Sequence, residues 1–184
     1  MELPKPPKMN NLAICFSLWR DDIEFLFGAI RNIQLANLFF PHWTTYIFIP
    51  INMSTDKELH IRKNMIQKMK SLGALIVYID TKTVEDFPIN LISFLIADNE
   101  NVTSFIIKDV RYRLSECDLI AMDAFFHSNK TLSLFQSLDR KKNTTFVFPE
   151  MLAANRMKFM TWLKGKSMKQ FIQVISLKCL GKKT

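Results

Sequence analysis

The sequence predicts an α/β protein: a mainly parallel sheet with helices on both faces. Short apolar runs alternate with segments whose apolar residues recur every three or four positions, and the links between them are short. The runs do not alternate polar with apolar, as expected of strands buried on both faces. Composition agrees: 184 residues, 48% hydrophobic, 23% charged, with 16 Phe and 10 Met to fill a core and 4 Gly and 7 Pro to interrupt it. That excludes disordered and collagen-like chains. Three Cys with no C-x-x-C exclude a disulfide scaffold and a zinc finger.

Residues 1–10, with Pro4, Pro6 and Pro7, read as a flexible leader. Leu12 to Phe16 is the first strand and gives way to Ser17-Leu18-Trp19-Arg20. Asp21-Asp22 opens a helix, since acids suit its positive end. Ile23, Leu26, Phe27, Ile30 and Ile33 mark its expected buried face, continuing towards Leu38. Pro41 to Trp43 breaks the helix, and the β-branched and aromatic Thr44 to Ile49 is the second strand. Leu59, Met65, Ile66, Met69 and Leu72 predict a second helix that Gly73 ends, and Ala74 to Ile79 is the third strand. Ile89 to Ala97 reads as a short helix, Ser104 to Ile107 as the fourth strand, and Ser115 to Phe126 as a helix capped by Ser115. Thr131 to Phe135 and Thr144 to Phe148 are expected to be further strands, which places one α/β domain over residues 11–150.

Charge divides the chain. Residues 140–184 hold eleven Lys and Arg against one acid, a net +10, whereas residues 1–139 hold 14 bases against 16 acids, a net −2. Residues 151–184 therefore read as a basic amphipathic tail, with Met157, Met160, Leu163, Met168 and Ile175 near helical spacing among lysines. Such a tail suits an anionic membrane surface or a protein partner, or else packs on the body. No nucleic-acid motif accompanies the charge, so no specific nucleic-acid partner is expected. The early apolar run lacks a cleavage pattern, and a cytoplasmic location is expected.

In an open parallel sheet, ligands gather at the carboxyl ends of strands. That singles out Ser17, Leu18, Trp19 and Arg20 after the first strand and Lys108 to Arg113 after the fourth. The run of Phe16-Ser17-Leu18, Gly28-Ala29-Ile30-Arg31-Asn32, Leu35-Ala36, Phe40-Pro41-His42-Trp43, Leu72-Gly73-Ala74, Phe94-Leu95-Ile96-Ala97-Asp98 and Asp109-Val110-Arg111-Tyr112-Arg113 resembles glycosyltransferase-like proteins of the nucleotide-diphospho-sugar (GT-A) type. The resemblance implies a Rossmann-like nucleotide-sugar half, with the nucleotide in the loop after the first strand. It also implies an Asp-x-Asp motif after the fourth strand that holds a divalent ion, such as manganese, on the diphosphate.

Three positions depart from that pattern. Asp109 matches the first Asp, the expected metal ligand, but the second falls on Arg111, and a guanidinium repels a cation. Ser93 stands where the resemblance leads one to expect Arg. Phe148 to Arg156 holds no Gly-Gly-Met-Trp-Gly-like segment, so the acceptor side reads as short or missing.

Two functional readings follow. In one, Lys108, Arg111 and Arg113 replace the metal and Asp109 orients the donor, in an active transferase. In the other, a diverged domain keeps the fold as a pseudoenzyme or binding module. Arg31 either reaches the nucleotide or is a solvated helix side chain, and Trp19 either stacks on a base or closes the strand end. A third reading makes the chain a non-catalytic interaction module acting through its tail.

Overall fold

The computed structural model describes residues 11–20, 22–51, 59–80, 89–135 and 151–163. The elements in chain order are β1 (Leu12–Ser17), α1 (Ile23–Phe39), β2 (Thr44–Pro50), α2 (Leu59–Ser71), β3 (Leu75–Ile79), a 3-10 helical segment (Ile89–Asp98), β4 (Ser104–Lys108), α3 (Glu116–His127), β5 (Leu132–Phe135), β6 (Met151–Asn155) and α4 (Arg156–Trp162). Six strands form one sheet in the order β3-β2-β1-β4-β6-β5. The first four are mutually parallel. β6 runs antiparallel to both β4 and β5.

Each face of the sheet has its own core. Residues alternate across a strand, so Ile14, Phe16, Ile47, Ile49 and Ile106 face α1, α2 and α3, where they meet Leu26, Ile33, Met69 and Phe125. Ala13, Cys15, Phe48, Phe105 and Ile107 face the opposite way, towards Ile92 and Ile96 of the 3-10 segment and Phe159 of α4. Helices thus cover both faces, as the unalternating apolar strands require.

Several expectations need correction. Ile23, Phe27 and Leu38 are exposed, although the periodicity places them on the buried face of α1. The true stripe is Phe25, Leu26, Ala29, Ile30, Ile33 and Ala36, with Gly28 and Asn32 buried alongside. It is rotated because a small and a polar residue, invisible to a hydrophobic pattern, meet the loop that follows β4. Ile89–Asp98 is helical, but with 3-10 winding.

The largest correction concerns the expected tail from residue 151. Met151–Asn155 is a strand inside the sheet, paired on both sides. α4 follows with Asn155 Oδ1 accepting from the Lys158 N–H (3.1 Å). It buries Phe159 and, just beyond, Leu163, while Met157 is exposed. The expected strand Thr144 to Phe148, the leader and residues 164–184 of the basic segment lie outside the described residues.

Candidate functional site

The strand order makes a switch point. From β1 the chain steps outward to β2 and β3, then returns to place β4 on the other side of β1. The carboxyl ends of β1 and β4, whose connections run towards opposite edges of the sheet, are the place where ligands gather in sheets of this kind. Cys15 is in register with Ile107, so Ser17 to Arg20 and Lys108 to Arg113 lie side by side. The two segments singled out from sequence are brought together.

The β1 side is anchored by buried polar bonds. Ser17 Oγ donates to Ser93 Oγ (2.8 Å) and accepts from the Ser93 N–H (3.1 Å), both residues being buried. Ser93 thus serves the end of β1 as a compact partner where an Arg was expected. Leu18 is buried, and its N–H donates to the Phe48 carbonyl (2.9 Å). Trp19 packs edge-on against Phe25 with centroids 5.2 Å apart. Arg20 pairs with Asp22 (2.7 Å), the residue that caps α1 by accepting from the Phe25 N–H, and lies 5.2 Å from the Phe25 ring. Arg31 is exposed on α1 and donates to Gln34 (3.3 Å), which keeps it along its own helix.

On the β4 side, Lys108 is 4% exposed and its Nζ donates to Asp118 Oδ1 at 2.8 Å. Asp118 Oδ2 also accepts from the Ser115 N–H (2.8 Å) and hydroxyl (3.0 Å). Lys108 is consequently a buried strut between β4 and the start of α3 rather than a cation offered to a ligand. Removing either partner of such a pair costs about 3–5 kcal/mol.

Asp109 and Arg111 face each other across one residue. Arg111 Nε lies 3.0 and 3.1 Å from the two Asp109 oxygens, Nη2 lies 2.5 Å from Oδ2, and the Arg111 N–H donates to Oδ1 (2.9 Å). The carboxylate beside it pushes the Arg111 pKa up. Arg113 Nη1 donates to the Val110 carbonyl (2.9 Å), and its guanidinium lies over Gly28. A Cβ at Gly28 would come within 3.2 Å of both Arg113 Nη1 and Val110 O, so glycine lets the loop sit against α1.

Hydrophobic patterning missed Asn32, although it stands in the run of residues that carries the resemblance. It is fully buried, and its Nδ2 donates to the carbonyls of Val110 (3.0 Å) and Tyr112 (3.2 Å) while Oδ1 accepts from the Leu114 N–H (3.0 Å). One side chain thereby sets the path of the loop from 110 to 114. A lone Asn on an apolar helix face was the available signal.

The divalent ion implied by the resemblance does not fit this donor set. Both Asp109 oxygens are engaged by Arg111, and the second ligand position is itself a cation. Among the described residues, no group of three or more His, Cys, Asp or Glu is gathered that could hold a metal. His42 and His127 belong to connections at the opposite, amino-terminal side of the parallel strands.

No protein-family model matches the sequence, and no curated protein matches it. Solved structures do. A galactosyltransferase, LgtC, in complex with donor and acceptor sugar analogues superposes with a TM-score of 0.55 at 15% identity, over 92% of this chain and 66% of that one. The mannosyltransferase PcManGT from Pyrobaculum calidifontis, in complex with GDP-Man and Mn2+, gives 0.56 at 12% identity, over 88% and 49%. Residues 1–349 of S. aureus TarS give 0.50 at 9%, over 89% and 54%. The chain thus spans just under two thirds of the galactosyltransferase and about half of the other two. Strand order, two-faced core and superposition agree: the fold is that of the GT-A-type nucleotide-diphospho-sugar transferases.

Proposed function

We propose that the chain is a glycosyltransferase-like domain that binds a nucleotide-diphospho-sugar at the carboxyl ends of β1 and β4 and has lost catalysis of sugar transfer. The observation that carries this reading is the Asp109–Arg111 pair at the switch point, where the resemblance implies a metal-holding acid pair. Binding needs cations at the strand ends, and the reading is supported by Arg111 and Arg113, exposed on a loop fixed from below by Asn32 and Lys108. Transfer needs more, because the departing diphosphate must be stabilised and the acceptor activated. Asp109 is tied to Arg111, and Phe148 to Arg156 holds no Gly-Gly-Met-Trp-Gly-like segment of the kind the resemblance leads one to expect.

The reading is tested by calorimetric titration of the folded protein with uridine and guanosine diphosphate-sugars, followed by a turnover assay for released nucleoside diphosphate. Saturable binding of one of them without turnover is expected. No binding of any of them, or release well above the buffer rate, would remove the reading. The tail-borne alternative loses part of its basis, since residues 151–163 belong to the sheet and its α4 cover. It then rests on residues 164–184 alone.

A further inference from the structure

Resting on that reading of the site, we infer that Arg111 is a built-in cation: its guanidinium takes the place of a divalent ion on Asp109 and presents its free edge to a nucleoside diphosphate.

Charge balance is the first argument. The arrangement that the resemblance implies, two carboxylates with one divalent ion, sums to zero, and so do the Asp109 carboxylate and the Arg111 guanidinium. The loop reaches the same local charge with no ion to bind or lose. Geometry is the second. A guanidinium is planar and carries five N–H donors in two usable edges. The Nε/Nη2 edge is spent on Asp109. Among the described residues Nη1 makes no hydrogen bond, the guanidinium stands 5.9 Å from the Tyr112 ring centroid, and the side chain is 56% exposed. One group can then bridge a carboxylate and a phosphate, as a shared metal would, with paired hydrogen bonds to each.

Rigidity is the third argument. The Asp109 carboxylate is held by the Arg111 backbone as well as its side chain. The loop beyond is pinned by Asn32, and the strand before it by the Lys108–Asp118 pair. A cation on such a support loses less conformational entropy on binding than a free surface Arg. Arg113, two residues on and with no carboxylate partner among the described residues, adds a second positive charge on the same loop.

The competing explanation is a local surface ion pair of little energetic weight, about 0–1 kcal/mol. Titrations with uridine diphosphate and guanosine diphosphate, in chelator and in excess Mn2+, separate the two. Wild type is expected to bind one of them equally or more weakly with Mn2+, because Mn2+ neutralises the phosphates that Arg111 contacts. Arg111→Ala is expected to weaken metal-free binding by at least about tenfold without rescue by Mn2+. Arg111→Asp is expected to make binding depend on Mn2+. Arg111 is an exposed side chain, and thermal melts of each variant check that the fold is kept. Wild-type binding strengthened about tenfold or more by Mn2+, or unchanged in Arg111→Ala, overturns the inference while leaving the donor-site reading standing. Absence of any diphosphate binding to wild type overturns both.

Discussion

Asn32 shows how one side chain can shape a candidate site from below. Its amide meets two carbonyls and one N–H of the loop that follows β4, and all three bonds are sheltered by α1. Asn32→Leu keeps the branched skeleton and removes every side-chain donor and acceptor. Two loop groups, the Tyr112 carbonyl and the Leu114 N–H, would then lose their partner, while the Val110 carbonyl keeps Arg113; each lost partner costs about 1–3 kcal/mol where water cannot reach. The expected outcome is a stability loss of roughly 2–4 kcal/mol by urea unfolding, with diphosphate binding weakened beyond that of Arg111→Ala. The expectation fails if stability falls while binding keeps its wild-type affinity, since the loop would then hold its path without Asn32.

At the scale of elements, the sequence was legible wherever a strand or helix is defined by its own residues. β1 to β4, α1 to α3 and their order follow from apolar runs and caps such as Asp22 and Ser115. β6 was hidden for a physical reason. Met151-Leu152-Ala153-Ala154-Asn155 holds no β-branched or aromatic residue, and its strand character comes from lying between β4 and β5. The site was legible as two segments, but not as a hydrogen-bonded unit: Lys108 turned inward because Asp118 waits on α3, ten residues away. Placing β6 in the sheet changes what truncation should do. A chain ending at Glu150 loses Met151, Leu152, Phe159 and Leu163, all buried, at roughly 2 kcal/mol each. That is comparable with the whole net stability of a domain, about 5–15 kcal/mol. It also strips β4 and β5 of their shared partner. Loss of a cooperative thermal transition is expected, and a sharp transition near the wild-type midpoint would show that the sheet closes without β6.

For the whole molecule, the sheet's two-sided burial has a pH signature. Cys15 sits in the middle of β1, fully buried, and burial pushes its thiol pKa well above the ordinary value. The unfolded chain releases this proton from about pH 8.5 upward, whereas the native chain retains it. Above that point the unfolded state binds fewer protons than the native state, so stability falls as pH rises, by about 1.4 kcal/mol per pH unit for the one proton. Below about pH 8.5 the contribution is fully present. Tyr46, its neighbour across the sheet, is raised by desolvation and by Cys15, and it pushes in the same direction at higher pH. Urea unfolding of wild type and Cys15→Ala between about pH 7.5 and about pH 9.5 isolates the effect from the lysines, which both proteins share. Cys15→Ala is expected to be less stable at neutral pH, through the lost packing, and to lose less on going alkaline. Parallel pH curves for the two proteins would mean that the thiol ionises in the native state, and that the core around β1 is more open to water than its packing implies.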